Sequence, residues 1–148
     1  MRRAWIVALA LLALLLSGCG GGSSGPLTKS ELIEKGDEIC RKADATQSES
    51  LDAYIKEHPG SSAFEEGSGL LLKSVGLPPL AAELEELREL KPSESAATQY
   101  AAFIKSFQAA FAAIEAKPQL MASSAHNPLD EPDRLAREYG FTDCAELG

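Results

Sequence analysis

The chain is short of the residues from which most catalytic and metal sites are built. Histidine occurs twice, at His58 and His126, and cysteine three times, at Cys19, Cys40 and Cys144. No Cys-x-x-Cys, His-Glu-x-x-His, Asp-x-Asp-x-Asp-Gly or Gly-x-Ser-x-Gly pattern is present, which removes the commonest redox, zinc, calcium and nucleophile-elbow readings. His126-Asn127-Pro128-Leu129-Asp130-Glu131 brings a histidine near two carboxylates, but those acids fit better as helix N-terminal residues. Glu115 and the pair Glu65-Glu66 have no spacing that suits a general acid and base. Neither metal, cofactor nor enzymatic activity is expected. Positive charge is scarce as well: 14 lysines and arginines face 22 acids, a net charge of −8. Such a surface repels phosphate, so nucleic acid is not an expected partner. Period-2 runs of β-branched residues are missing, which argues against a sheet. The longest uncharged apolar run, Ala4 to Leu16, has thirteen residues, whereas a bilayer-spanning helix needs about 20.

That short run does have a meaning. Arg2 and Arg3 precede it as a positive n-region, and Leu16-Ser17-Gly18-Cys19 follows it. The layout is that of a secretory signal, and its last four residues resemble the lipobox through which bacteria attach diacylglycerol to cysteine. Residues 1–18 are read as a lipoprotein signal peptide and Cys19 as the lipidated residue. Two acyl chains anchor stably where one anchors marginally. The expected location is the extracytoplasmic face of the cell membrane. Loss of Arg2 and Arg3 would leave 12 basic residues against 22 acids. Residues 19–27 contain Gly-Gly-Gly-Ser-Ser-Gly-Pro, a tether whose root-mean-square reach is about 15 Å.

Lipidation of Cys19 changes the cysteine arithmetic. Three cysteines in an exported chain would leave one unpaired, whereas Cys40 and Cys144 alone make a pair. An oxidising compartment preserves a disulfide between them. They lie 104 positions apart, and closing a loop of that length stabilises a fold by about 4.7 kcal/mol in the chain-entropy model. The competing reading is a redox or metal-binding thiol pair. It has neither the spacing nor a neighbouring histidine in its favour.

Residues 28–148 read as one helical domain. Thr28-Lys29-Ser30-Glu31 is a capping-box start. Leu32, Ile33, Ile39, Cys40 and Ala43 follow at helical spacing, and Leu51, Tyr54 and Ile55 continue the apolar face. The polar stretch Thr46–Ser50 is expected to weaken this helix, and His58-Pro59-Gly60 to end it. Ser62-x-x-Glu65 suggests a second start, with Phe64, Leu71 and Val75 on one side and Gly67 and Gly69 against it. Gly76-Leu77-Pro78-Pro79 reads as a break. Leu80, Leu84 and Leu87 then form a stripe, with Glu83, Glu86 and Glu89 taken as an opposing solvated face, ending at Lys91-Pro92.

Ala96, Tyr100, Phe103, Phe107, Ala110 and Ile114 repeat at intervals of four and three, the mark of a helix core stripe. Ile104 and Phe111 widen it, and Lys117-Pro118 stops or kinks the helix. Met121 to Asn127 reads as a polar loop. A last helix is expected from about Glu131 to Tyr139, capped by Asp130 and closed by Gly140, with Leu135 and Tyr139 facing the bundle. Phe141 and Cys144 then return to the first helix. The fold class is all-α, an antiparallel bundle of about four helices with one disulfide. Tyr100, Phe103, Phe107 and Phe111 are expected mainly as core. The alternative is an apolar groove on this face that would carry a lipid or other small apolar molecule.

Three stretches resemble a group of small helical lipoproteins from high-GC Gram-positive bacteria. They are Lys35-Gly36-Asp37-Glu38-Ile39-Cys40-Arg41-Lys42-Ala43, Leu77-Pro78-Pro79-Leu80 with Leu87-Arg88-Glu89-Leu90-Lys91-Pro92, and Ala136-Arg137-Glu138-Tyr139-Gly140-Phe141-Thr142-Asp143-Cys144. The resemblance implies an all-helical exported domain with Cys40 and Cys144 paired, and it implies no activity. The expectation is a membrane-anchored binding or interaction module, with an unknown envelope protein as partner. The alternative is a carrier of a small apolar ligand.

Overall fold

The computed structural model describes residues 25–59, 71–122 and 127–147. The signal peptide, Cys19, most of the tether, the start expected at Ser62–Glu65 and His126 lie outside the described residues.

Helix α1 spans Lys29–Glu57 and begins with the expected capping box. The Glu31 amide donates to Thr28 Oγ1 at 3.3 Å, and the Thr28 amide donates to Glu31 Oε2 at 2.9 Å. The polar stretch does not interrupt it. Thr46 Oγ1 donates back to the Lys42 carbonyl and Ser50 Oγ to the Thr46 carbonyl, so both hydroxyls are satisfied within the helix. The helix ends where expected, with His58 as its C-cap.

The break expected at Gly76-Leu77-Pro78-Pro79 does not occur. A π-helical turn over Leu72–Gly76 runs directly into α2, Leu77–Glu89. The Leu77 amide bonds back to the Leu72 carbonyl, five residues earlier. Pro78 and Pro79 fall in the first turn of α2, where an absent N–H is tolerated, and the widened turn carries the chain into them.

Helix α3, Glu94–Ala116, buries Ala96, Tyr100, Phe103, Phe107, Ala110 and Ile114, the six residues of the expected stripe. It stops before Lys117-Pro118, and Pro118–Ala122 forms a 3-10 turn. Helix α4, Asp130–Tyr139, is not capped by Asp130, which lies inside its first turn. Asn127 organises the start instead: its Oδ1 accepts from the Leu129 amide and its carbonyl from the Asp130 amide, while Leu129 is fully buried. Gly140 closes α4 at φ 112°, a conformation that favours glycine. The Phe141 amide reaches the Ala136 carbonyl and the Gly140 amide the Arg137 carbonyl, a Schellman closure.

The helices alternate in direction. At one end of the bundle Leu27, just before α1, pairs with the α2–α3 link: its amide donates to the Lys91 carbonyl and its carbonyl accepts from the Ser93 amide, both at 2.7 Å. At the same end Tyr139, closing α4, donates to the Ala96 carbonyl in the first turn of α3, and Lys29 Nζ lies 4.7 Å from the Tyr139 ring centre. The start of α1, end of α2, start of α3 and end of α4 therefore meet. This is an antiparallel four-helix bundle, with no strand among the described residues beyond the Leu27–Pro92 bridge.

Candidate functional site around Glu83 and the disulfide

The core is closed by the C-terminal segment after α4. Cys40 on α1 and Cys144 form a disulfide with Cα atoms 5.2 Å apart. Three residues before Cys40, one helical turn away on the same face, the buried Asp37 carboxylate accepts from the amides of Thr142, Asp143 and Cys144 at 2.9–3.1 Å. Those amides sit at the entry to a short 3-10 turn, Asp143–Ala145, and would otherwise lack helical acceptors. Arg41 pairs with Asp143 at 3.0 Å, Arg137 donates to the Ala145 carbonyl at 2.6 Å, and Asp133 Oδ1 accepts from the Leu147 amide. Gly36 lets the Phe141 ring lie against the α1 backbone. A Cβ there would sit 2.5 Å from the ring's Cε1.

Against this disulfide stands a residue whose burial contradicts the expected solvated acidic face. Glu83 on α2 is only 5% exposed, and its Oε1 has no hydrogen-bond partner. A carboxylate oxygen of Glu83, Cys40 Sγ and Cys144 Sγ all lie within 4.8 Å of one another. Burial pushes the Glu83 carboxyl up to about 8, and the negative charges of Asp44 and Asp133 add to the effect. At neutral pH it is mainly the protonated acid, which is the cheaper form in a water-poor site. Glu86 and Glu85 on the same helix do face solvent, paired with Lys42 and Arg88 respectively. A crevice of about 50 Å³ between α1 and α2, lined in part by Ile39, Lys42, Thr46, Glu83 and Glu86, leads to the Glu83 position.

A signal for this burial lay in the spacing. Glu83 is three residues after Leu80 and four before Leu87, which places it within the apolar arc of α2. Asp37 gave a weaker signal, as an acid one turn from a cysteine. Its acceptor role depends on amides more than a hundred residues away, which spacing along the chain does not encode.

Of the four aromatic residues expected mainly as core, with a groove as the alternative, three lie inside the bundle. Tyr100, Phe103 and Phe107 are buried, with Phe103 and Phe107 fully enclosed. Phe103 packs on Phe141 at 5.4 Å between ring centres, Tyr100 on Tyr139 at 5.9 Å, and Tyr139 stacks on Phe141 at 5.1 Å. The Tyr100 hydroxyl donates to the Leu87 carbonyl at 2.6 Å. Neighbouring side chains thus occupy the volume beside these three rings. Phe111 is only partly buried against the same core. Among the described residues the site brings Cys40 and Cys144 together and adds Glu83 and Asp37.

The fold and this site define a disulfide-closed all-α bundle with a buried acid at its staple. No protein-family model, curated protein or solved structure matches the chain.

Proposed function

We propose that the chain is a membrane-anchored extracytoplasmic lipoprotein, of the kind found in high-GC Gram-positive bacteria, whose bundle is a non-enzymatic binding or interaction module. The observation that carries the anchoring is the pairing of Cys40 with Cys144. It leaves Cys19, at the lipobox-like Leu16-Ser17-Gly18-Cys19, outside that pair, as the cysteine read here as the site of thioether formation. Two acyl chains there hold the bundle within a short tether's reach of the bilayer. No described helix is long and apolar enough to cross a membrane.

The interaction role is supported by the outer half of α1. Leu51, Tyr54 and Ile55 share its apolar side, none of them is buried, and Ile55 is half exposed. A partner helix or loop covering them would gain roughly 25 cal/mol for each Å² of apolar surface removed from water. Metabolic labelling tests the anchor: palmitate enters the wild-type chain and not Cys19→Ala, and equal labelling of the two defeats it. Crosslinking in the native envelope tests the module. It yields a defined protein adduct through α1, and native mass spectrometry that instead shows a copurifying lipid in the bundle defeats this reading.

A further inference from the structure

We propose that Cys40, Cys144 and Glu83 become, once the disulfide is reduced, a buried site for one borderline-soft divalent cation such as Zn²⁺, so that the disulfide and the cation are alternative occupants of the same place. Three independent features of the described residues meet there. Two sulfurs come from elements at opposite ends of the sequence, already held side by side by Asp37 and its three amide bonds. A third ligand atom, from the carboxyl of Glu83, lies within 4.8 Å of both. Glu83 is only 5% exposed, and its buried Oε1 lacks any hydrogen-bond partner, a costly arrangement beside a disulfide and a useful one beside a cation.

The geometry is near what tetrahedral coordination requires. Metal–sulfur bonds of about 2.3 Å and metal–oxygen bonds of about 2.1 Å put the ligand atoms roughly 3.5–3.8 Å apart. Opening the sulfur–sulfur bond to that distance, with Glu83 already within 4.8 Å of both sulfurs, satisfies it. The fourth position falls to water, for which the adjoining crevice of about 50 Å³ has room. Two thiolates, one carboxylate and one dication leave a net charge of −1 at the site.

The chemistry balances with a phosphine as reductant. Phosphine and water convert the disulfide to two thiols and a phosphine oxide; the sulfur–sulfur bond breaks and phosphorus is oxidised. The cation then displaces both thiol protons and the proton of Glu83. Binding therefore releases the protons of the ligating groups.

Cobalt titration of the full chain, oxidised and phosphine-reduced, tests the site. The reduced protein is expected to take up one Co²⁺ with thiolate charge-transfer bands and the intense visible absorption of four-coordination, and to lose them to Zn²⁺. Its circular dichroism should remain that of the folded bundle. Glu83→Gln should weaken binding by more than the roughly 10-fold seen on losing even an outer-shell partner, and Glu89→Gln, at an exposed position of α2 outside the crevice, should leave it unchanged. The proposal is overturned by equal affinity in Glu83→Gln, by equal binding to the oxidised chain, or by binding accompanied by loss of the folded spectrum.

Discussion

The two halves of α1 differ although one uninterrupted helix contains both. From Lys29 to Cys40 the helix buries Leu32, Gly36, Asp37 and Cys40, and it holds the C-terminal segment by a disulfide, three amide bonds and the Phe141 ring on Gly36. From Arg41 to Glu57 no residue is buried, even though Leu51, Tyr54 and Ile55 continue the apolar spacing. Tertiary packing fixes the first half, which serves as the nucleus from which the second half propagates. Periodicity marks which face of a helix would be buried; a partner decides whether it is.

The largest test of that contrast removes the staple. Replacing both Cys40 and Cys144 by serine should lower unfolding free energy by about 4.7 kcal/mol on chain-entropy grounds, read from denaturant midpoints. Hydrogen exchange should accelerate most in residues 141–147 and around Cys40, with the outer half of α1 exchanging as before. A uniform acceleration over the whole of α1 would show that the two halves form one cooperative unit.

The next test concerns Glu83, which lies against the anchored half. Its folded-state titration is raised from 4.5 to about 8, so the folded chain holds a proton that the unfolded chain has released. Stability therefore falls as pH rises between 4.5 and about 8, by up to roughly 1.4 kcal/mol per pH unit. Below that window both states are protonated and the difference vanishes. Asp133 is also shifted upward by burial and contributes with the same sign, so some slope remains without Glu83. Glu83→Gln should flatten most of the fall and stabilise the protein at pH 8 relative to wild type, as measured by thermal unfolding across that range. An unchanged slope would place the buried charge elsewhere.

The parts of this architecture legible in sequence are those set by local pattern. The α3 stripe was readable because each buried residue follows its predecessor at three or four positions, and the α1 start because Thr28 and Glu31 satisfy one another. The disulfide followed from counting thiols. The continuity of the π turn into α2 was not legible, since Gly76 and two prolines signal a break unless the turn before them widens. The start of α4 differs by one residue: Asp130 is a good cap by type but lies in the first turn, and the cap position falls to the buried Leu129. The candidate site was half legible. The cysteines were identified, but Glu83 was read with its exposed neighbours Glu86 and Glu89, though its own angular position sets it between Leu80 and Leu87.

The smallest expected effect is the sharpest for the comparison between the halves of α1. Ile55 is 50% exposed, whereas Leu32 in the anchored half has no exposed surface. Truncating Leu32 to alanine removes enclosed methyl groups and should cost about 2–5 kcal/mol. Ile55→Ser makes a larger change in polarity, but on a surface that already meets water, and its cost should stay within about 0.5 kcal/mol. The same substitution should reduce the yield of envelope crosslinks through α1, because the exposed apolar side is then the surface a partner covers. Equal destabilisation by the two variants would mean that the outer half is packed within the chain itself. A neutral Ile55→Ser with undiminished crosslinking would separate the exposed patch from any partner.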